Sequence, residues 1–183
     1  MRLFAALVVL GLAAGAQAET PLPFPVEITA EFALVDQDGE TVSTEGRDRP
    51  MAVFFGYANC EAICSVAMPS LGAALDVLGD DAERLDAFLI TVDPERDTPE
   101  VMASKLPQWH PKLRGLTGSE DALAAARTSF QIERKLVFTD PEGNPVYAHG
   151  SFIYLIGRDG KVATLLPPIL SPERMAELIR QYL

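Results

Sequence analysis

The chain has 183 residues, 48% of them hydrophobic, and a net charge of −11. That length leaves ample chain for one packed core. The acidity argues against a nucleic-acid or anionic-lipid partner, because both would be repelled.

Arg2, the apolar run Leu3 to Leu12 and the small-x-small site Ala16-Gln17-Ala18 form the pattern of a secretory signal peptide cleaved after Ala18. The alternative is an uncleaved N-terminal membrane anchor, but the run is short for the ~20 residues of a spanning helix. Glu19 follows the cut, so no lipid-attachment cysteine stands there. Removing 18 residues from 183 leaves 165, with a net charge of −12 because the leader carries one Arg and no acid. The expectation is an exported, periplasmic, monomeric protein without stable membrane insertion, with residues 19–183 as one domain.

Pro21, Pro23 and Pro25 make a stiff lead-in. Glu27 to Val35 and Glu40 to Val42 flank the turn Asp36-Gln37-Asp38-Gly39, which predicts a hairpin. Ala52 to Phe55 is a continuous apolar run, as in a strand buried on both faces. Cys64 to Gly79 reads as a helix with Val66, Leu71, Leu75 and Leu78 as its apolar stripe, and Pro69 is expected to kink it. Leu85 to Val92 is a second buried strand. Thr98-Pro99-Glu100 opens a helix to about Trp109, and Leu113 to Leu116 reads as a short strand. Ser119 caps a helix to about Phe130. Ile132 to Val137 reads as a strand, Thr139 to Pro145 as a loop, and Ser151 to Ile156 and Val162 to Leu166 as a strand pair. Ser171 caps a last helix with Met175, Leu178, Ile179 and Tyr182 on one face. This order predicts an α/β, thioredoxin-like fold: a central mixed sheet flanked by helices, with an extra N-terminal β-hairpin.

Cys60 and Cys64 are the two cysteines in the chain, and they directly follow the first buried strand. A spacing of four is one helical turn, so both sulfurs can share a face. In an oxidising compartment such a pair forms a disulfide, exchanges one with a partner, or holds a soft metal. Cu(I) prefers thiolate and accepts two or three ligands, which suits a chain poor in further donors. His149, in the loop before a late strand, is the candidate third ligand in a thioredoxin-like fold. His110 reads as a surface or helix-capping residue. The loop Asp93 to Asp97 ends a central strand. It either tunes the site or orients a partner, or it is only a local Arg96 ion pair ahead of a helix. Met51, Met68, Met102 and Met175 do not cluster and read as core. Glu61 reads as exposed. No Thr-x-x-Cys pattern supports a peroxidase.

From about Phe32 onward the chain resembles the Sco/SenC family of copper-binding, thioredoxin-like proteins. Phe54-Phe55-Gly56-Tyr57 before Cys60-x-x-x-Cys64 is similar to its metal motif, and Val92-Asp93-Pro94-Glu95-Arg96-Asp97-Thr98-Pro99 to its most recognisable stretch. Gly115-Leu116-Thr117-Gly118, and His149 with Tyr154-Leu155-Ile156, also fit in order and spacing. Members usually carry Thr-His before the first cysteine and prolines beside both, where this chain has Ala58, Asn59, Glu61 and Ser65. The resemblance implies a copper site of Cys60, Cys64 and His149. It also implies delivery of copper to the dinuclear copper A centre of cytochrome c oxidase, or to another periplasmic copper protein. The alternative is a thiol–disulfide oxidoreductase in which Cys60 attacks and Cys64 resolves, keeping the cysteines of a copper-site partner reduced.

Overall fold

Strand β3 (Met51–Gly56) has all six residues buried, as its unbroken apolar run requires. It lies inside a seven-stranded sheet. The computed structural model describes residues 28–60 and 63–183. The expected leader, Pro21 to Pro25 and Glu61 lie outside the described residues.

On one side β3 runs parallel to β4 (Asp86–Thr91), and β4 parallel to β5 (Leu113–Thr117). The N-terminal hairpin of β1 (Ala33–Asp36) and β2 (Thr41–Ser43) extends this edge, with β1 antiparallel to β5. On the other side β3 pairs antiparallel with β8 (Ile153–Ile156), which pairs with β9 (Val162–Leu166). The expected thioredoxin-like mixed sheet is therefore present. Among the described residues the first strand starts at Ala33, and residues 28–32 carry only one isolated bridge, from Thr29 to Lys161. β8 starts at Ile153 rather than Ser151.

Helices α1 (Cys64–Leu78) and α4 (Pro172–Arg180) pack together, α2 (Pro99–Lys105) packs on β5, and α3 (Glu120–Ser129) on β1. Side chains of β3 alternate between the two faces. The Phe55 ring meets Phe130 edge-on at 5.0 Å, while Phe54 faces the other way and meets His149 at 5.8 Å. Burying a ring of this size stabilises the fold by about 1.5–3 kcal/mol. All four candidate core methionines are fully buried.

Three of the helices start as the sequence predicts. Thr98, Ser119 and Ser171 each accept a hydrogen bond from the backbone N–H three residues on. Pro69 stands inside α1, which continues through it to Gly79, whose φ of 58° closes the helix. Val66 is not in the core stripe: it is exposed, and Ala67, Met68, Leu71, Ala74, Leu75 and Leu78 are buried instead. The second helix is shorter than expected, giving way after Lys105 to a 3₁₀ turn, Leu106–Gln108. Pro107 lies in that turn and cannot donate the next helical bond.

The sequence reading missed a second hairpin. β6 (Lys135–Thr139) and β7 (Pro145–Ala148) form a separate two-stranded sheet. β6 overlaps the expected strand Ile132 to Val137 but lies two to three residues later, the expected loop Thr139 to Pro145 makes the turn, and the returning strand was not expected. The turn is closed by Asp140, whose carboxylate accepts the Asn144 N–H at 2.7 Å, and by Gly143 at φ 88°. β7 begins with a proline and is only four residues long, so it carries little strand signal.

Candidate metal centre

The β3 to α1 connection carries Cys60 and ends at Cys64. Its backbone turns at Tyr57, whose carbonyl accepts the Cys60 N–H at 3.1 Å. Cys64 is the first residue of α1, so Cys60 lies outside the helix. The two sulfurs are brought together by this turn and not by one helical turn. α1 also lacks the side-chain cap that its three counterparts have. The backbone N–H groups of Tyr57 and Cys64 lower the pKa of the Cys64 thiol against larger effects that raise it. Such donors favour a thiolate or a metal-bound sulfur.

His149 follows β7 and reaches the same point from the other side of the chain. Its Nε2 lies 3.6 Å from Cys64 Sγ and 3.9 Å from Cys60 Sγ. The three donor atoms lie within 4.8 Å of one another, and all three residues are buried. The two cysteines are not joined as a disulfide. Ligands to a single ion, with metal–sulfur near ~2.3 Å and metal–nitrogen near ~2.0 Å, would stand ~3.5–3.8 Å apart. The set has two sulfurs, one imidazole and no carboxylate, and so suits a soft or borderline ion. Gly56 makes room for it: a Cβ there would stand 2.9 Å from Cys64 Sγ and 2.9 Å from the Phe54 ring.

The Cys64 thiol is pushed well up, first by its hydrogen bond with Cys60, then by burial and by negative charge on Cys60. Cys64 therefore holds its proton. Tyr57 is pushed up to about 12, by burial first and then by Cys60.

The acidic loop after β4 does two separate jobs. Asp93 pairs with Arg96, the local reading. Asp97, only 1% exposed, reaches the cysteine turn. Its carboxylate oxygens accept the Ala58 N–H at 3.1 and 3.0 Å and the Thr91 hydroxyl at 2.7 Å. Asp97 thus pins the turn two residues ahead of Cys60, and burial raises its pKa. Arg96 also donates to the Pro145 carbonyl at 2.8 Å, tying this loop to the hairpin that leads to His149.

His110 is not brought to the centre. Its Nδ1 accepts the Lys112 N–H at 3.1 Å, and its Nε2 lies 3.5 Å from the Asp76 carboxylate of α1. Asn59 and Ser65 are exposed. Asn59 lines a groove of about 620 Å³ with Tyr57, Arg96, Phe138 and Val146. The sequence reading passed over Gly56, Tyr57 and the specific role of Asp97. The signal available was their position inside the two motifs, but no pattern in the chain specifies which side chain meets which.

A family profile described as SCO1/SenC matches residues 21–183. An SCO2-like protein of Rickettsia felis is 31% identical over 157 residues, covering 85% of this chain and 77% of that protein. The structure of Bradyrhizobium japonicum ScoI with copper bound is 34% identical with a TM-score of 0.79, covering 85% of this chain and 99% of that one. Yeast Sco1 with copper bound is 25% identical with a TM-score of 0.74, covering 85% and 88%. The chain belongs to the SCO1/SenC family. Among the described residues, no helix is long and apolar enough to cross a membrane.

Proposed function

We propose that this protein is a copper metallochaperone that holds the ion on Cys60, Cys64 and His149 and passes it to a copper protein of the periplasm. The dinuclear copper A subunit of cytochrome c oxidase is the foremost client. The observation that carries the reading is the convergence of two thiols and one imidazole in a buried site without a carboxylate. The copper-bound relative at 34% identity supports it, and the leader pattern in residues 1–18 supports export.

Copper is cargo here, so the site must both hold and release it. Cys64 is fully buried, whereas Cys60 follows exposed Asn59 at the edge of the groove. An incoming ligand of the client displaces Cys60 first, and Cys64 and His149 let go afterwards. Both thiols must be reduced for this, because a Cys60–Cys64 disulfide removes two donors. Titration of the reduced protein with Cu(I) and with Cu(II) tests the reading. His149→Ala should weaken at least one of them. Unchanged binding of both ions would sink the three-ligand site.

The layering of the two thiols favours a second reading, a thiol–disulfide oxidoreductase. The Cys60 thiolate would attack a client disulfide, forming one mixed S–S bond and releasing one client thiolate. Cys64 would then give up its proton and attack Cys60, leaving the client as a dithiol and this protein as the disulfide. Cys64→Ser should trap the mixed disulfide. A very low reduction potential with nothing trapped would argue against this activity.

A further inference from the structure

We propose that the groove between the cysteine turn and the β6–β7 hairpin is the docking site for an extended, basic segment of the protein that receives the copper. One wall of the groove is Tyr57 and Asn59, which lead into Cys60. The other is Phe138, Asp140, Glu142 and Val146 of the hairpin. At about 620 Å³ it has the size of a ligand cleft. An occupant therefore lies against the turn that carries Cys60, on the hairpin that leads to His149.

The hairpin offers more apolar surface than its own fold explains. Leu136, Val137 and Phe138 follow one another in β6 and are 54%, 60% and 55% exposed. A two-stranded hairpin is marginally stable in water, and a run of exposed apolar side chains does nothing to stabilise it. Its anchors lie on β7 instead. Arg96 donates to the Pro145 carbonyl at 2.8 Å, the Arg134 guanidinium stands 4.1 Å from the centre of the Tyr147 ring, and Tyr57 meets that ring edge-on at 6.2 Å. These contacts fasten the hairpin through β7 and leave the β6 side chains uncovered among the described residues. Contiguous apolar surface of this kind, rimmed by polar groups, marks an interaction site.

The charges in the groove select the occupant. The Asp140 carboxylate is fixed there by Asn144, accepting its backbone N–H at 2.7 Å and its side-chain amide at 3.0 Å. Among the described residues neither Asp140 nor Glu142 forms an ion pair. The nearby cation, Arg96, is taken up by the Asp93 carboxylate and the Pro145 carbonyl. Two uncompensated carboxylates beside exposed apolar side chains fit lysines or arginines flanking an apolar residue. An acidic segment would be repelled by them and by the net charge of −11 on the chain.

The identity of the occupant rests on the metallochaperone reading, but the binding test needs no metal. The probes are labelled synthetic peptides of equal length: alternating lysine and valine, alternating glutamate and valine, and alternating lysine and serine. Fluorescence anisotropy with the reduced, metal-free protein should show the lysine–valine peptide bound about tenfold more tightly than either of the others. Added salt should weaken it. Asp140→Asn with Glu142→Gln keeps an oxygen to accept the Asn144 N–H and should weaken that binding about tenfold. Phe138→Ser should weaken it by a similar factor with the unfolding midpoint unchanged, because the ring is exposed. Glu40→Gln with Glu45→Gln removes the same charge in and beside the β1–β2 hairpin, at exposed positions, and should change nothing. If the two double variants weaken binding equally, the attraction is only the net charge of the chain and the proposal is overturned. It is also overturned if Phe138→Ser abolishes a dimer seen by sedimentation velocity, which would make this face a contact between copies. Cu(I) titration keeps the two readings apart, because the groove variants should take up copper with wild-type affinity. Copper uptake without a preference among the peptides would overturn the docking site alone. Peptide preference without copper uptake would sink the chaperone reading, while the groove and its basic occupant stand.

Discussion

Ala58, two residues ahead of Cys60, is held by hydrogen bonds to the body of the fold, whereas His149 arrives on a hairpin outside the main sheet. On the cysteine side, Asp97 takes two contacts from the Ala58 N–H and one from the Thr91 hydroxyl, and Thr91 in turn accepts the Asp93 N–H at 2.9 Å. This chain runs back into β4, which is buried. On the histidine side, β6 is exposed along its whole length and β7 is half-buried. Nδ1 has no hydrogen-bond partner among the described residues. The cysteine geometry is built before any ion arrives. The histidine takes its constraint from packing against the Phe54 and Tyr57 rings.

Breaking the hydrogen-bonded side should cost most. Asp97→Ala leaves the buried Ala58 N–H and the Thr91 hydroxyl without their acceptor, and should lower stability by about 3 kcal/mol in urea unfolding. The pH dependence of Asp97 sharpens the point. Its carboxyl is raised above the ordinary 3.8, chiefly by burial, so the folded state binds that proton more tightly than the unfolded chain. The resulting stabilisation is complete below roughly pH 4 and is lost as pH rises through the raised value. Wild type should therefore lose stability relative to Asp97→Asn across that window. Parallel curves would show that Asp97 does not titrate as described.

Gly56→Ala is next, at about 2 kcal/mol, because its Cβ would meet Cys64 Sγ and the Phe54 ring at 2.9 Å each. Thermal unfolding and Cu(I) titration should both register it. On the packed side the sign reverses. His149→Phe removes a buried, unpartnered nitrogen and keeps the shape, so the reduced, metal-free protein should gain about 1 kcal/mol while losing copper binding. A destabilised variant would mean that the imidazole is better satisfied than its contacts indicate. Arg96→Ala cuts the tether between the two sides and leaves the buried Asp93 carboxylate without its partner, so it should cost about 1–2 kcal/mol globally. Its clearer sign should be faster hydrogen exchange at the Tyr147 amide, with little change in β3.

The thioredoxin-like sheet was legible because its strongest elements are local in origin. Met51 to Phe55 is apolar throughout, and Thr98-Pro99, Ser119 and Ser171 cap helices with the next few residues as partners. The returning strand of the β6–β7 hairpin was not legible, because four residues starting with Pro145 show no alternation to read. Val66 was misread for a related reason. The helical period allowed it a place on the stripe, but the packing of α1 left it outside the buried face.

The sequence by itself determined the donor types, the strand that delivers the cysteines, and the family to which the chain is similar. These depend on residue chemistry and on neighbours within a few positions. Only the tertiary structure decided that Cys64 and His149, 85 residues apart, come within 3.6 Å, and that Asp97 crosses 39 residues to hold Ala58. It also decided that the Tyr57 ring meets His149 edge-on at 5.7 Å. Hydrophobic periodicity encodes which face of an element is buried, but not which side chain from a distant element it will meet.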